Sequence, residues 1–297
     1  MIISIVIRTL NEEKYLEELL SSLRNQNLDG NELEIVLIDS GSTDNTINIA
    51  KKYNSVITYI KKHQFTFGRS LNMGTEKTSG DIVCYISGHC IPCDKNWLIN
   101  LIEPILKNNI SYVYGSQVGR DTTKFSEKQW FKKYFPEKSQ IPQNGIFCNN
   151  ANSALLKSVW KDYKFNEKLT GLEDMDLASR LSKAGLLIAY KAEAKVFHIH
   201  NETWSQTKHR YEREAMALQQ ISPEIQVTLL DAIRYFISGI FLDFSEALNE
   251  KCLKENFLSI IKFRLALNSG TYLGNQSHRK LSKKRKEEYF YPKKTNE

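Results

Sequence analysis

The sequence predicts an α/β protein: a doubly wound, mainly parallel sheet followed by a C-terminal helical extension. Three observations carry this expectation. Short β-rich runs alternate with helical patterns over the first 120 residues, the signature of repeated βα units. One such run, Ile35-Val36-Leu37-Ile38, is continuously apolar and ends abruptly in a polar loop, as a strand buried on both faces does. After Trp204 the pattern is helical throughout.

In chain order, the pattern predicts a strand at 4–8, a helix over 12–25, a strand at 34–39, a helix over 43–53 and a strand at 56–60. A helix near 69–77, a strand at 81–87, a helix over 95–107 and a strand at 112–118 continue the alternation. In the first helix Asn11 can cap, Glu12 and Glu13 suit the positive N-terminal end, and Tyr15, Leu16, Leu19, Leu20 and Leu23 form one apolar stripe. From 125 to 146 the aromatic, basic and proline residues follow no period and read as a mobile loop. Regularity returns over 149–156, in a helix over 173–184, in two strands at 186–190 and 195–199, and in helices over 209–220, 227–248 and 253–267. The expected division is a main domain over 1–205, a helical extension over 206–275 and a basic flexible tail over 276–297.

The composition bounds the function. A chain of 297 residues with 41% apolar and 25% charged residues is folded and globular, which excludes collagen-like and wholly disordered readings. The net charge is +7, but eight basic and three acidic residues from Gln276 onward account for +5, leaving +2 for the body. That is too little for a nucleic-acid-binding body. Five cysteines, at 84, 90, 93, 148 and 252, are odd in number and lack framework spacing, so they read as reduced thiols in a cytoplasm. Cys90 and Cys93 have no second pair to complete a zinc site. The N-terminus opens on an apolar run with no basic leader, and 235–244 is too short to span a bilayer, so neither a signal peptide nor a transmembrane helix is expected.

Asp39 ends a buried strand and is followed by Gly41-Ser42-Thr43-Asp44. A carboxylate at a sheet's carboxyl edge can accept from a nucleobase N–H or ribose hydroxyls; an Asx turn is the structural alternative. The surrounding sequence adds a resemblance. Ser4-Ile-Val-Ile-Arg-Thr-Leu-Asn-Glu-Glu13, with Val36-Leu-Ile-Asp39-Ser-Gly-Ser-Thr-Asp44, resembles the opening of family 2 glycosyltransferases with a GT-A fold, a Rossmann-like sheet. Phe67-Gly-Arg-Ser-Leu-Asn-Met-Gly74, Trp97-Leu98 and Gly171-Leu-Glu-Asp-Met-Asp-Leu-Ala-Ser-Arg180 agree in order and spacing, so the resemblance covers about residues 1–205.

The resemblance implies an inverting transferase that moves a sugar from a nucleotide-sugar donor to a glycan or lipid-linked acceptor in surface polysaccharide synthesis. It implies that Thr9 and Asp39 line the base and ribose pocket and that Arg69 reaches toward the base or phosphates. Family members carry Asp-x-Asp for Mg²⁺ or Mn²⁺ where this chain has Ser87 and His89, which disfavours a hard cation that prefers oxygen ligands. His89 could contact phosphate, bind a softer metal or be structural. His200 or His198 could complete a metal site or hold phosphate. Asp174 is implied as the base that takes the acceptor's proton, with Glu173 beside it; acidic residues favouring a helix N-terminus are the plainer alternative. Asn150 and Asn152 are candidates for sugar hydroxyls, and Trp204 for stacking on a sugar ring or anchoring a helix. The basic C-terminus suggests peripheral contact at the inner membrane face. An alternative is a non-catalytic, degenerate nucleotide-sugar-binding protein. A dinucleotide oxidoreductase is excluded, because no glycine-rich turn follows the first strand.

Overall fold

The computed structural model describes residues 1–276 and 289–290. The expected basic tail therefore lies almost wholly outside the described residues. Two compact units are present. The first comprises Met1–Arg120, Tyr134–Lys168 and Glu173–Ile199; the second comprises Asp121–Lys133, Leu169–Leu172 and the described residues from His200 onward.

The first unit holds strands β1 (Ile2–Thr9), β2 (Glu32–Asp39), β3 (Val56–Tyr59), β4 (Ile82–Ser87), β5 (Cys90–Pro92), β6 (Tyr112–Val118), β7 (Asn152–Leu156) and β8 (Ile188–His198). Its helices are α1 (Glu13–Arg24), α2 (Thr46–Lys52), α3 (Phe67–Glu76), α4 (Trp97–Asn108), α6 (Lys157–Asp162) and α7 (Glu173–Lys183). Between β6 and β7 lies α5 (Phe125–Tyr134), which belongs to the second unit through Lys133. Among the described residues the strands form one sheet in the order β3-β2-β1-β4-β7-β6-β8-β5. β1 is parallel to both β2 and β4, whereas β7 runs antiparallel to β4 and β6.

The core follows the predicted pattern. Leu16, Leu19, Leu20 and Leu23 of α1 are fully buried against Ile3, Ile5 and Ile7, since the i, i+3, i+4, i+7 spacing aims one stripe at the sheet. The entry to α1 differs from expectation. Glu12 occupies the cap without a side-chain bond. Asn11 instead adopts a left-handed φ of 58°, and its Oδ1 accepts from the Thr43 N–H, tying the loop after β2 to the end of β1.

Two further expectations are corrected. The stretch read as a mobile loop begins with helix α5, whose buried side is Phe125, Ser126, Glu127 and Phe131; Phe125 packs with Ala247 and Ile260. The two strands expected at 186–190 and 195–199 are one, β8, in which Ala192, Ala194 and Val196 are buried while Lys191, Glu193 and Lys195 alternate outward. Its pairing with β6 slips between Gly115 and Gln117.

The second unit is built on α8 (Trp204–Ile221), α9 (Leu229–Asn249) and α10 (Leu253–Asn275). Thr203 with Gln206, and Thr228 with Asp231, form capping boxes that start α8 and α9. α10 packs closely on α8: a Cβ at Gly270 would lie 2.3 Å from the Lys208 carbonyl oxygen, and one at Gly274 2.1 Å from that of Glu212. No described helix is long and apolar enough to cross a membrane.

Candidate functional site

Parallel pairing fixes what meets at the carboxyl edge of the sheet. Thr9 stands opposite Asp39, and Arg8 opposite Ser87, so the ends of β1, β2 and β4 open on one rim. The Thr9 hydroxyl donates to Asp39 Oδ1 at 3.2 Å, and the Ser42 hydroxyl donates to the same oxygen at 2.5 Å. Asp39 Oδ2 accepts from the N–H groups of Gly41 and Ser42, both at 2.9 Å. The carboxylate thus uses about four acceptor positions, its ordinary capacity, on its own loop and the end of β1, and Gly41 takes a φ of 103° to close the turn. Asp39 thus stands at the carboxyl edge of the sheet and acts there as an Asx-type organiser of the loop.

Asp174 is 7% exposed and Glu173 4%. Asp174 Oδ2 accepts from the Asn150 N–H at 2.9 Å and Oδ1 from the Met175 N–H at 2.8 Å. Burial, reinforced by the neighbouring Glu173 charge, raises the Asp174 carboxyl above the usual range, against those two N–H groups and Arg8. Arg8 reaches Glu173 Oε1 at 3.4 Å and lies 4.9 Å from the Phe67 ring centroid at the start of α3, which stretches a cation between β1, α3 and α7. Leu172, just before the acidic pair, holds a φ of 54°, a conformation costing a non-glycine residue about 1–3 kcal/mol.

The histidines share one wiring. His89 Nδ1 lies 2.9 Å from Glu12 Oε1, and His198 Nδ1 2.6 Å from Gln117 Oε1. The two rings stack, centroids 5.2 Å apart, with ring nitrogens within 4.8 Å of each other. Oxygen acceptors require Nδ1–H, which makes Nε2 the lone-pair nitrogen of each neutral ring. Such an outer oxygen partner is the usual companion of a metal-binding imidazole. The donor chemistry therefore fits a divalent transition-metal cation better than Mg²⁺. β8 ends at His198, and His200 lies beyond it. Within the second unit, His200 Nδ1 lies 2.7 Å from Glu127 Oε1, which also accepts from Arg210 Nη2 at 2.9 Å. Burial opposes the charge on Glu127, but His200, Arg210 and Lys124 together bring its pKa down to about 2.

Other expected site residues have structural partners. Asn152 is fully buried; its Oδ1 accepts from Trp97 Nε1 at 2.9 Å and its Nδ2 donates to the carbonyls of Ser116 and Ala194. It ties β6 to β8. Arg69 donates through Nε to Glu167 Oε2 at 2.8 Å and through Nη1 to the Gln64 carbonyl, so its fork is held by protein oxygens. Trp204 carries the Lys124 ammonium 5.2 Å from its ring centroid, which favours the helix-anchoring alternative. Ser87 closes β4 with its N–H on the Ala151 carbonyl. Asn150 keeps a site-like feature: Oδ1 accepts from Tyr112 and Ser153, while Nδ2 is buried with no hydrogen-bond partner. Cys90 and Cys93 are free, and burial raises both thiols, Cys93 to about 12; this agrees with ordinary thiols.

Arg8, Glu12, Gln117 and Glu127 were given no part in the site from the sequence. Arg8 had a visible signal, a cation in the penultimate position of an apolar strand; Glu12 was masked by its role at a helix start.

Residues 4–163 match the model of Glycosyl transferase family 2. The chain is 32% identical over 189 residues to the O-antigen chain rhamnosyltransferase WbaN of Salmonella anatum, covering 60% of each chain; it thus spans three fifths of that protein's length. It is 28% identical to the O-antigen chain rhamnosyltransferase RfbN of Salmonella typhimurium, over 71% of this chain and 70% of that one. Among solved structures, the mannosyltransferase PcManGT of Pyrobaculum calidifontis, in complex with GDP-Man and Mn²⁺, superposes with a TM-score of 0.59 at 16% identity, over 89% of this chain and 73% of that one. The GT-A fold expected from the sequence is thereby shown.

Proposed function

Since the chain belongs to glycosyl transferase family 2, we propose that it transfers a sugar, with inversion, from a nucleotide-sugar donor to a saccharide or lipid-linked saccharide acceptor in surface polysaccharide synthesis. One observation supports this above the rest: Asp174, a buried carboxyl with a raised pKa, accepts from the Asn150 N–H two residues before β7, whose first residue pairs with the carboxyl end of β4. A base is most effective when its pKa lies near the working pH. Asp174 takes the acceptor hydroxyl's proton, and Glu173, tethered to Arg8, orients it. The Thr9–Asp39 loop receives the base and ribose. Arg8 supplies positive charge near the departing phosphates, and the buried Asn150 Nδ2 faces the acceptor.

A bound divalent cation would neutralise the leaving phosphates. His89 and His198 are its proposed ligands in the first unit; His200, wired in the same way within the second, stays a proposed ligand. The two relatives named as O-antigen rhamnosyltransferases make a rhamnosyl donor the first to test. They also favour the catalytic reading over a degenerate binding protein. A cytoplasmic site of action with peripheral contact at the inner membrane face, through the basic C-terminus, completes the proposal.

The test is a thermal-shift panel of UDP-, GDP-, dTDP- and CMP-linked sugars with and without Mn²⁺, because a ligand bound only to the native state raises its apparent stability. A shift with one base class is the expected result. A flat panel would remove the donor-binding reading.

A further inference from the structure

Helices α9 and α10 of the second unit form a hairpin whose amphipathicity is turned outward. The buried positions of α9 are Ala232, Gly239, Asp243 and Ala247, all small or polar. Small side chains there let α10 approach: a Cβ at Gly239 would lie 3.0 Å from the Arg264 side chain. Arg264 in turn grips the buried Asp243 through two bonds of 2.7 and 2.5 Å. With the inner face filled in this way, the large apolar residues stand outside. Leu230 is 79% exposed, Phe241 68%, Leu242 67% and Leu248 62%; Leu230, Ile233, Ile237, Phe241 and Leu248 follow the i, i+3, i+4, i+7 spacing of one helix face, and Leu242 stands at its flank. On α10, Leu258 at 66% and Leu265 at 56% continue the surface. Soluble helices show the reverse arrangement, and a contiguous exposed apolar face marks a docking surface.

Charge indicates what covers it. Near the hairpin turn an open recess of about 580 Å³ is lined by Leu248, Leu253, Phe257 and Leu258, with Lys254 as its one charged residue. Arg234 and Lys262 are exposed on the two helices. Of the acidic groups, Asp243 is neutralised by Arg264, Glu250 pairs with Lys132, and Asp231 is held in the α9 capping box, while Glu246 and Glu255 are exposed. Within four residues of Asn275 the sequence enters Arg279, Lys280, Lys283, Lys284, Arg285 and Lys286. A second copy of the chain would bring two such basic runs together; an anionic lipid surface attracts them. Apolar side chains interleaved with cations also match acyl chains beneath phosphate headgroups.

We propose that the outer face of the α9–α10 hairpin is the surface on which the protein docks, lying in the plane of an anionic bilayer, with the basic run after α10 supplying the electrostatic part. This deepens the membrane contact proposed above and rests on that reading. The apolar stripe and the basic run are the two signals that stable but reversible anchoring requires.

The experiment is flotation of the full chain with vesicles containing phosphatidylglycerol and with phosphatidylcholine vesicles. Binding to the anionic vesicles at least tenfold tighter, weakening as salt is added, is expected. The triple variant Leu230→Ser, Phe241→Ser, Leu242→Ser should lose at least tenfold in vesicle affinity while keeping its circular dichroism and its donor-induced thermal shift. Should that variant fail to fold, Phe241→Trp with bromine-labelled phosphatidylglycerol gives a second readout, with added tryptophan quenching expected over the parent chain. Equal binding to both vesicle types, no binding to either, no added quenching in the Phe241→Trp variant, or a dimer that the serine variant dissociates would each overturn the proposal. No binding to either vesicle type sinks the membrane contact as well, whereas anionic binding that the folded serine variant retains in full sinks the hairpin surface alone; donor binding, measured without vesicles, tests the transferase reading separately.

Discussion

Glu12 and His89 are bound to each other, Oε1 to Nδ1 at 2.9 Å, across a gap that only glycine leaves open. A Cβ on Gly88 would lie 2.8 Å from Glu12 Cγ and 3.2 Å from the Arg8 carbonyl oxygen. The first turn of α1 therefore reaches under the β4–β5 connection and fixes the His89 ring.

The first prediction concerns that contact. Glu12→Ala frees the imidazole orientation, and loss of an outer partner of this kind costs about 10–100-fold in metal affinity or activity. Donor affinity measured by calorimetry in the presence of Mn²⁺ should fall, while the melting temperature changes little. An unaltered affinity would make the Glu12–His89 pair purely structural.

Asp174 carries a pH dependence. Its folded-state pKa is raised by burial and by Glu173, so the neutral form is favoured in the fold, and the stability this gives is lost as pH rises through the raised value. The deprotonated base accumulates over the same interval, so kcat/KM should climb with pH as stability declines. Asp174→Asn should abolish transfer, keep donor affinity and melt at or above the parent's temperature on the alkaline side. Transfer rates and melting curves across neutral pH check both signs.

Glu127 behaves oppositely. Its folded-state pKa is lowered from 4.5 to about 2, so its contribution is complete above 4.5 and is lost as pH falls toward 2. That contribution is on the order of 3 kcal/mol. Glu127→Gln should remove it and flatten the acid limb of the stability profile between those values, as read by denaturant unfolding at several pH values.

Asn152→Ala tests whether that residue serves the fold or the acceptor. Three buried hydrogen bonds disappear and partners are left unsatisfied, which costs about 2–4 kcal/mol. The variant should melt earlier but, below its transition, turn over with the parent's KM for acceptor. A selective rise in that KM would restore Asn152 to the acceptor side.

The sequence made legible what depends on apolar periodicity. The α1 stripe and the β2 run lie where their spacing put them, and the polar loop after Asp39 sits at the carboxyl edge of the sheet. Segments whose buried faces carry charge were not legible. α5 buries Ser126 and Glu127 beside Phe125 and Phe131, so its helical face shows no apolar stripe; its stability comes from partners such as His200 and Arg210, more than 70 residues away in sequence. β8 hides its continuity in Ala192, Ala194 and Val196, small residues whose lysine and glutamate neighbours resemble a helical linker. In the site, strand-end residues were identifiable by position, but whether an amide was available or already committed, as with Asn152, depends on contacts that no local pattern contains.

The loop after β2 is held by four hydrogen bonds on the Asp39 carboxylate, from the Thr9 hydroxyl, the Gly41 and Ser42 N–H groups and the Ser42 hydroxyl. A nucleoside entering such a cradle has little chain to organise, so its capture should lack the large entropy penalty and heat-capacity signature of coupled ordering. Discrimination between bases then falls to the rigid shape of the rim, and a poorly matched base should be rejected through faster departure, with its rate of arrival nearly unaltered.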